Sequence, residues 1–274
     1  MERLFWKFLG IILLIVVMAV QLAPFYVTLT VSAKPKTDLS SRWLPPADGF
    51  YWQNYATAIQ QGKILNAIKN SLIVTGTSVF FVCLLGCLAA YPLARLKTRF
   101  NKVVIMLILG VMMVPPLSTL VPLYTFMNKI GAVNTYWGMI LLMVTGQLPL
   151  SIFMYSNFIA TLPIELEEAA HIDGANFLQI FSSIIVPLMK PVTASVIILS
   201  GTFIWNDYQW ALYMLTTSQM KTITTAIGAF FSQQSSNLGA ASAASLLGFL
   251  PILIAYIFLQ KYFMKGMVAG AVKG

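Results

Sequence analysis

Four of the eight acidic residues, Glu165, Glu167, Glu168 and Asp173, fall within nine positions. Pro163 precedes them, and proline suits the first turn of a helix, where its missing N–H would have had no partner. Glutamates in that turn complement the positive end of the helix dipole. Gly174 can close the helix in a left-handed conformation, and a second short apolar segment, 176–183, follows. The spacing predicts a compact helix–turn–helix. Ala169, Ala170 and Gly174 give it a small-residue surface that a groove in another protein could approach closely. The competing reading is a solvated acidic loop that caps a helix.

A second group of chemically capable residues is Trp205, Asn206, Asp207, Tyr208 and Trp210. Aromatic platforms beside amides and hydroxyls are what a sugar needs; the same residues also suit an interfacial aromatic belt. Gln147 stands inside an apolar run, where an amide needs a protein partner or a water-filled path. Cys83 and Cys87, the two cysteines, are four apart on one helix face and poorly placed to join to each other. They read as packing residues. His171 is the single histidine, so a metal site is a remote alternative. No phosphate-binding loop occurs; Gly62-Lys63 is followed by Ile64 and lacks the upstream glycine. The chain is not expected to bind or hydrolyse ATP by itself, and it is expected to be no enzyme.

The elements that position these residues follow from composition. Of 274 residues, 58% are hydrophobic and 9% are charged, against about 25% charged in soluble domains. Such a chain cannot cover a water-facing surface. A soluble enzyme, a disordered protein, a disulfide scaffold and a nucleic-acid-binding domain are excluded. The net charge of +9 fits a polytopic membrane protein whose Lys and Arg lie between apolar runs and set topology.

Six apolar runs have spanning length: 8–32, 70–94, 103–127, 135–160, 184–205 and 243–262. They are continuous rather than alternating, so they are helices and not barrel strands. The first run is longer than a secretory signal's apolar core and reads as a transmembrane helix. Gly86 and Ala90 permit close helix contact. Residues 55–69 have the spacing of a short amphipathic helix at the interface. Segment 95–102 carries Arg95, Lys97, Arg99 and Lys102 without an acid, and marks the cytoplasmic side. Counting outward puts both termini and 161–183 in the cytoplasm, with 34–69, 128–134 and 206–242 outside. The expected organisation is a first helix and external loop over 1–69, a core transmembrane region over 70–262 containing the acidic loop, and a cytoplasmic tail over 263–274.

The string Glu168-Ala169-Ala170-His171-Ile172-Asp173-Gly174-Ala175, followed by Ile184-Ile185-Val186-Pro187, resembles the EAA loop of ABC-importer permeases. Asn70-Ser71-Leu72, Trp205-Asn206-Asp207-Tyr208 and the C-terminal 260–274 extend the resemblance over the chain, to the MalG-type carbohydrate branch of binding-protein-dependent transport components. The resemblance implies an all-α, six-helix type I ABC importer permease fold in a bacterial cell membrane. It implies a second homologous, MalF-like permease, a cytoplasmic ABC ATPase dimer and an extracytoplasmic solute-binding protein as partners. ATP and Mg would bind at the ATPase, with no cofactor on this chain. By the same resemblance, Glu168, Ala169, Ala170, Asp173, Gly174 and Ala175 belong to the ATPase-coupling helix, and Lys265, Gly266, Gly270, Lys273 and Gly274 to a tail that reaches between the ATPases.

The expected function is then passage of a sugar, a di- or oligosaccharide, with Gln147, Trp205, Asn206, Asp207 and Tyr208 as candidates to line the path. Permeases for glycerol phosphate esters belong to the same branch. An anionic phosphate would favour a midplane arginine, which the six runs lack. An ion-coupled secondary transporter needs intramembrane acidic or basic relays, and the runs hold no central Asp or Glu. A membrane structural protein is the remaining alternative. Pro187 and Pro191 stand where they can bend the fifth run.

Overall fold

The structure is a computed structural model that describes residues 2–47, 49–232 and 237–271, without the side chains of 2–4, 232 and 261–271. Among the described residues there is no strand. The helices are α1 (Glu2–Ser32), α2 (Gln53–Gln60), α3 (Ile64–Arg95), α4 (Arg99–Met112), α5 (Pro116–Lys129), α6 (Tyr136–Thr161), α7 (Glu165–Ile172), α8 (Phe177–Ile180), α9 (Val186–Leu188), α10 (Lys190–Trp205), α11 (Gln209–Met214), α12 (Ile223–Ser232) and α13 (Leu238–Ala271). A π-helical turn, Phe181–Ile185, joins α8 to α9.

Among the described residues, four helices are long and apolar enough to cross a bilayer: Phe5–Ser32, Ile64–Arg95, Tyr136–Thr161 and Leu238–Gln260. The third and fifth runs are each broken; the bend in the fifth falls where Pro187 and Pro191 allow it, and the break in the third was not expected. α4 and α5 meet at 99°, and Phe177–Leu188 meets Lys190–Trp205 at 69°. Counting each bent pair as one span gives six. The first break has a local cause. Pro115 and Pro116 both lack an N–H, and a proline drives the residue before it out of the helical region; Pro115 itself is extended, with ψ 128°. In the second, Pro187 cannot donate an i−4 bond, and the helix widens so that the Val186 N–H reaches back to the Phe181 carbonyl. The bend falls at Met189, between Pro187 and Pro191.

Two further expectations need correction. Residues 55–69 are not one interfacial helix. α2 ends at Gln60, Lys63 turns with φ +50°, and α3 starts at Ile64 rather than at Asn70. The expected loop 206–242 contains α11 and α12 and the start of α13.

The chain divides into two compact units, residues 1–67 with 225–251, and 68–224 with 252–274. In the first, α1 is exposed all round over 5–22. An apolar cylinder of this kind suits lipid. Its last turns hold the segment that follows: Thr30 Oγ1 donates to the Arg42 carbonyl at 2.6 Å, Tyr26 Oη to the Trp43 carbonyl at 2.9 Å, and Asn54 Nδ2 to the Ser32 and Lys34 carbonyls at 2.9 and 2.8 Å.

The second unit contains most of α3 and all of α4 to α11. α3 and α6 run parallel, in one register from end to end. Tyr136 Oη donates to Asn70 Oδ1 at 2.7 Å where both helices begin. Ser151 Oγ donates to the Val82 carbonyl at 3.0 Å in the middle, and Arg95 reaches the Leu162 carbonyl at 3.2 Å where both end. Gly86 makes the middle contact possible, because a Cβ there would occupy the space of the Ser151 hydroxyl. In lipid there is no hydrophobic gain between helices, so such close packing and interhelical bonds do the joining. α10 packs on α6 in the opposite direction: Thr193 meets Tyr155 Oη near the end of α6, while Gly201, later in α10, lies against Val79 in the middle of α3. Parallel α3 and α6 require an intervening crossing, which α4 and α5 together supply.

Candidate functional site

The acidic segment folds as the sequence analysis expects: a helix, a glycine turn and a second short helix. Gly174 stands at φ +83° with nothing within 4 Å of a built Cβ. The position needs glycine for its backbone and not for space. The Ala175 N–H returns to the Ala170 carbonyl at 2.9 Å and the Gly174 N–H to the His171 carbonyl at 3.1 Å, closing α7. Asn176 then starts α8 with a capping box. Its Oδ1 accepts from the Gln179 N–H at 3.0 Å, and its own N–H donates to Gln179 Oε1 at 2.8 Å.

Helical periodicity sorts the named residues into two faces. Ala170 is buried in the core that also contains Tyr91, Ile159, Ile180 and Met189, and Ala175 packs against it. Glu168, Ala169, Asp173 and Gly174 are exposed. Ile172 and Leu178 lie beside them at 85% and 71% exposure. Ala170 and Ala175 therefore seat the loop, while the other four, with Ile172 and Leu178, form its outer surface.

Three residues outside the expected set fix this loop. Arg95 Nε and Nη2 approach Glu167 Oε1 at 2.7 and 2.6 Å, and Tyr91 Oη donates to Glu167 Oε2 at 2.5 Å. Arg95 and Glu167 side chains are each 12% exposed. Hydrogen bonds to charged groups contribute about 1.5–3 kcal/mol each, and partial burial limits their screening by salt. The Tyr91 ring meets Phe177 and Phe181 edge-on, with centroids 5.4 Å apart in both cases. Arg95 reads in sequence as a topology marker and Glu167 as one acid among four. The available signal was that Tyr91 and Arg95 are i,i+4 and so share a face.

The candidates for a substrate path differ in exposure. Gln147 is buried at 7% exposure. Trp205 is buried too, in α10. Asn206 Nδ2 bonds the Thr202 carbonyl at 2.8 Å. Asp207 holds the start of α11, accepting from the Ala211 N–H at 2.9 Å and the Trp210 N–H at 3.4 Å. Burial pushes its carboxyl above the usual range, against the pull of those two bonds. Tyr208 is exposed. The hydroxyls of Thr75, Ser78 and Ser200 and the Gln209 Nε2 are buried without a hydrogen-bond partner, and the sequence reading did not single them out. In the expected tail, Lys265, Gly266 and Gly270 fall in the last turns of α13, where the backbone helix alone is described. Lys273 and Gly274 lie outside the described residues.

Comparison with known proteins agrees with this architecture. Residues 83–268 match the family described as binding-protein-dependent transport system inner membrane component. The chain is 44% identical over 252 residues to the melibiose/raffinose/stachyose import permease protein MelC of Bacillus subtilis, covering 92% of this chain and 91% of that protein. It is 33% identical over 274 residues to the multiple sugar-binding transport system permease protein MsmG of Streptococcus mutans, covering 98% and 97%. A bacterial ABC transporter involved in the import of the acidic polysaccharide alginate shares the fold. The TM-score is 0.81 at 21% identity, over 96% of this chain and 98% of that one. An all-α chain with up to six spans and a capped helix–turn–helix between the fourth and fifth is thus a multi-pass permease subunit of an ABC importer, and it belongs to the binding-protein-dependent transport system inner membrane components.

Proposed function

We propose that this chain forms, with a second homologous permease, the path by which a neutral di- or oligosaccharide enters a bacterial cell. The observation that carries the coupling part of this reading is the outer face of α7, the turn and α8. Glu168, Asp173, Ile172 and Leu178 are exposed on an element rigidly closed by Gly174 and seated by Ala170. That face docks on a cytoplasmic ATPase, which binds ATP and Mg; the tail from Lys265 onward adds to the same contact. A solute-binding protein delivers the sugar from the opposite side. The basic segment 95–102 supports placing α7, α8 and both termini in the cytoplasm. Each partner must bind the two states of the permease differently to shift it between them. The bend at Met189, directly after the docking element, is the place where such a shift can be taken up.

The similarity to MelC supports melibiose, raffinose and stachyose as first substrates to try, and the absence of arginine from the middle of the spans, where Arg95 and Arg99 stand only at span ends, supports a neutral solute over a phosphate ester. Among the neutral polar groups, Gln147 and the unpartnered hydroxyls of Thr75, Ser78 and Ser200 are candidates to face the sugar. The test is melibiose and raffinose uptake into vesicles. Uptake is expected only with both permeases, the ATPase and the binding protein present, and only with ATP inside. Uptake driven by an ion gradient with this chain alone would replace the reading with a secondary transporter.

A further inference from the structure

Glu167 is the one acid of the α7 cluster that turns away from the proposed docking face. Both oxygens of its carboxylate are taken, each from a different residue of α3. Tyr91 and Arg95 stand one turn apart, so they grip the carboxylate from two positions along the same helix face. The same guanidinium bonds the carbonyl of Leu162 at 3.2 Å, an acceptor left over at the end of α6. One side chain therefore ties together the ends of α3 and α6 and the start of α7. The planar fork of arginine suits this triple duty, and a lysine ammonium does not.

Residues 162–164 are the covalent link between α6 and α7, and Leu162 is extended with ψ 134°. A three-residue link, extended at Leu162 and helical only at Ile164, would by itself let α7 pivot. A push on α7 would then be spent in the link.

We infer that Tyr91, Arg95 and Glu167 form a positioning clamp that makes α7 move with the ends of α3 and α6, so that displacement of α7 reaches the helices of the path. Glu167 is a positioning residue; it acts through α3 and touches neither the sugar nor ATP. The inference rests on the proposed coupling role of the loop.

The test uses the whole complex in proteoliposomes, with melibiose as the probe, and reads melibiose imported per ATP hydrolysed. Glu167→Gln keeps a similar shape but weakens the ionic grip. It is expected to retain ATP hydrolysis and to lower the ratio about tenfold, within the range by which such positions alter coupling. Arg95→Lys is expected to lower it less. The exchange of charges, Arg95→Glu with Glu167→Arg, is expected to recover part of the ratio lost by either change alone. A purely structural role predicts less complex with an unchanged ratio, and that result overturns the clamp. Tyr91→Phe covers the case where Glu167→Gln does not assemble. It loses one hydrogen bond and retains the ring contacts to Phe177 and Phe181, so a wild-type ratio in that variant also overturns the clamp. A wild-type complex that hydrolyses ATP without importing melibiose or raffinose removes the parent reading, and is distinguished by needing no variant.

Discussion

The two ends of the larger unit are fastened in different ways. Where α3 and α6 begin, the joints are neutral and numerous. Asn70, 1% exposed, donates to the Gln219 and Lys221 carbonyls at 2.8 and 2.9 Å and accepts from Tyr136. Ser71 accepts from the Ile223 N–H at 2.9 Å, and Asn134 Oδ1 accepts from the Thr216 and Thr217 N–H groups at 2.8 and 3.2 Å. These side chains bond to backbone, so they fix the course of 214–223 rather than one contact. Where α3 and α6 end, one guanidinium carries the polar connection, from Arg95 to the Leu162 carbonyl and to the Glu167 carboxylate of α7, and large apolar side chains such as Ile172 and Leu178 stay exposed on the loop. Many buried neutral bonds are costly to break singly, because each orphaned group costs free energy. The first end is built to stay as it is. The second is tied through one residue and presents an exposed surface, as the proposed docking face requires.

The largest expected effect is at the first end. Asn70→Leu removes three hydrogen bonds at a buried site and leaves carbonyls behind, a loss of about 2–4 kcal/mol. The thermal midpoint of the purified permease pair should fall by several degrees. If the complex that remains still imports melibiose with the wild-type ratio per ATP, the two ends have separate jobs; an unchanged midpoint would show that Asn70 does not fasten this end.

Gly174→Val comes next. Its side chain has open space within this chain, so the cost is the left-handed backbone, about 1–2 kcal/mol. Uptake and ATPase co-purification should fall severalfold at matched membrane levels, with a smaller change in midpoint than for Asn70→Leu. Equal uptake would return the segment to a solvated loop. Glu168→Lys should reduce co-purification more modestly and in a salt-dependent way, while leaving stability within about 0.5 kcal/mol, as expected for an exposed substitution.

The smallest effect concerns the smaller unit. The Asp38 carboxyl is held below the usual carboxylate range, first by the Ser40 hydroxyl, next by the Ser40 N–H at 2.9 Å, with Lys34 adding to both. A lowered folded pKa stabilises at pH above the unfolded value, and that contribution is lost as pH falls through the folded value. Proteolysis of segment 34–47 should therefore rise only on strong acidification, and Asp38→Asn should abolish the pH dependence.

Much of this was legible because membrane helices announce themselves by length and composition, and because the Gly174 turn and its flanking helices follow local rules. The breaks at Val114 and Met189 were less so: proline marks a possible kink, but its angle depends on what packs beside it. Gly86 was visible as a small residue; its partner Ser151 was not, since register between helices is tertiary. The clamp escaped for the same reason. Arg95 and Glu167 are 72 positions apart, and a span-end arginine beside other basic residues looks like a topology signal. That Asp207 caps α11 and that Trp205 is buried could not be read from the sequence either, since both depend on how α10 and α11 pack.

The central claim is that the outer face of α7 meets the ATPase and the opposite end does not. In a chain lacking Cys83 and Cys87, single cysteines at Glu168 and at Asn134 can be challenged with a thiol-to-amine cross-linker in the transport-competent complex. Cross-linking to the ATPase from Glu168→Cys and none from Asn134→Cys is the predicted result. A complex that imports melibiose while Glu168→Cys stays unlinked, or while Asn134→Cys links to the ATPase, would contradict the account.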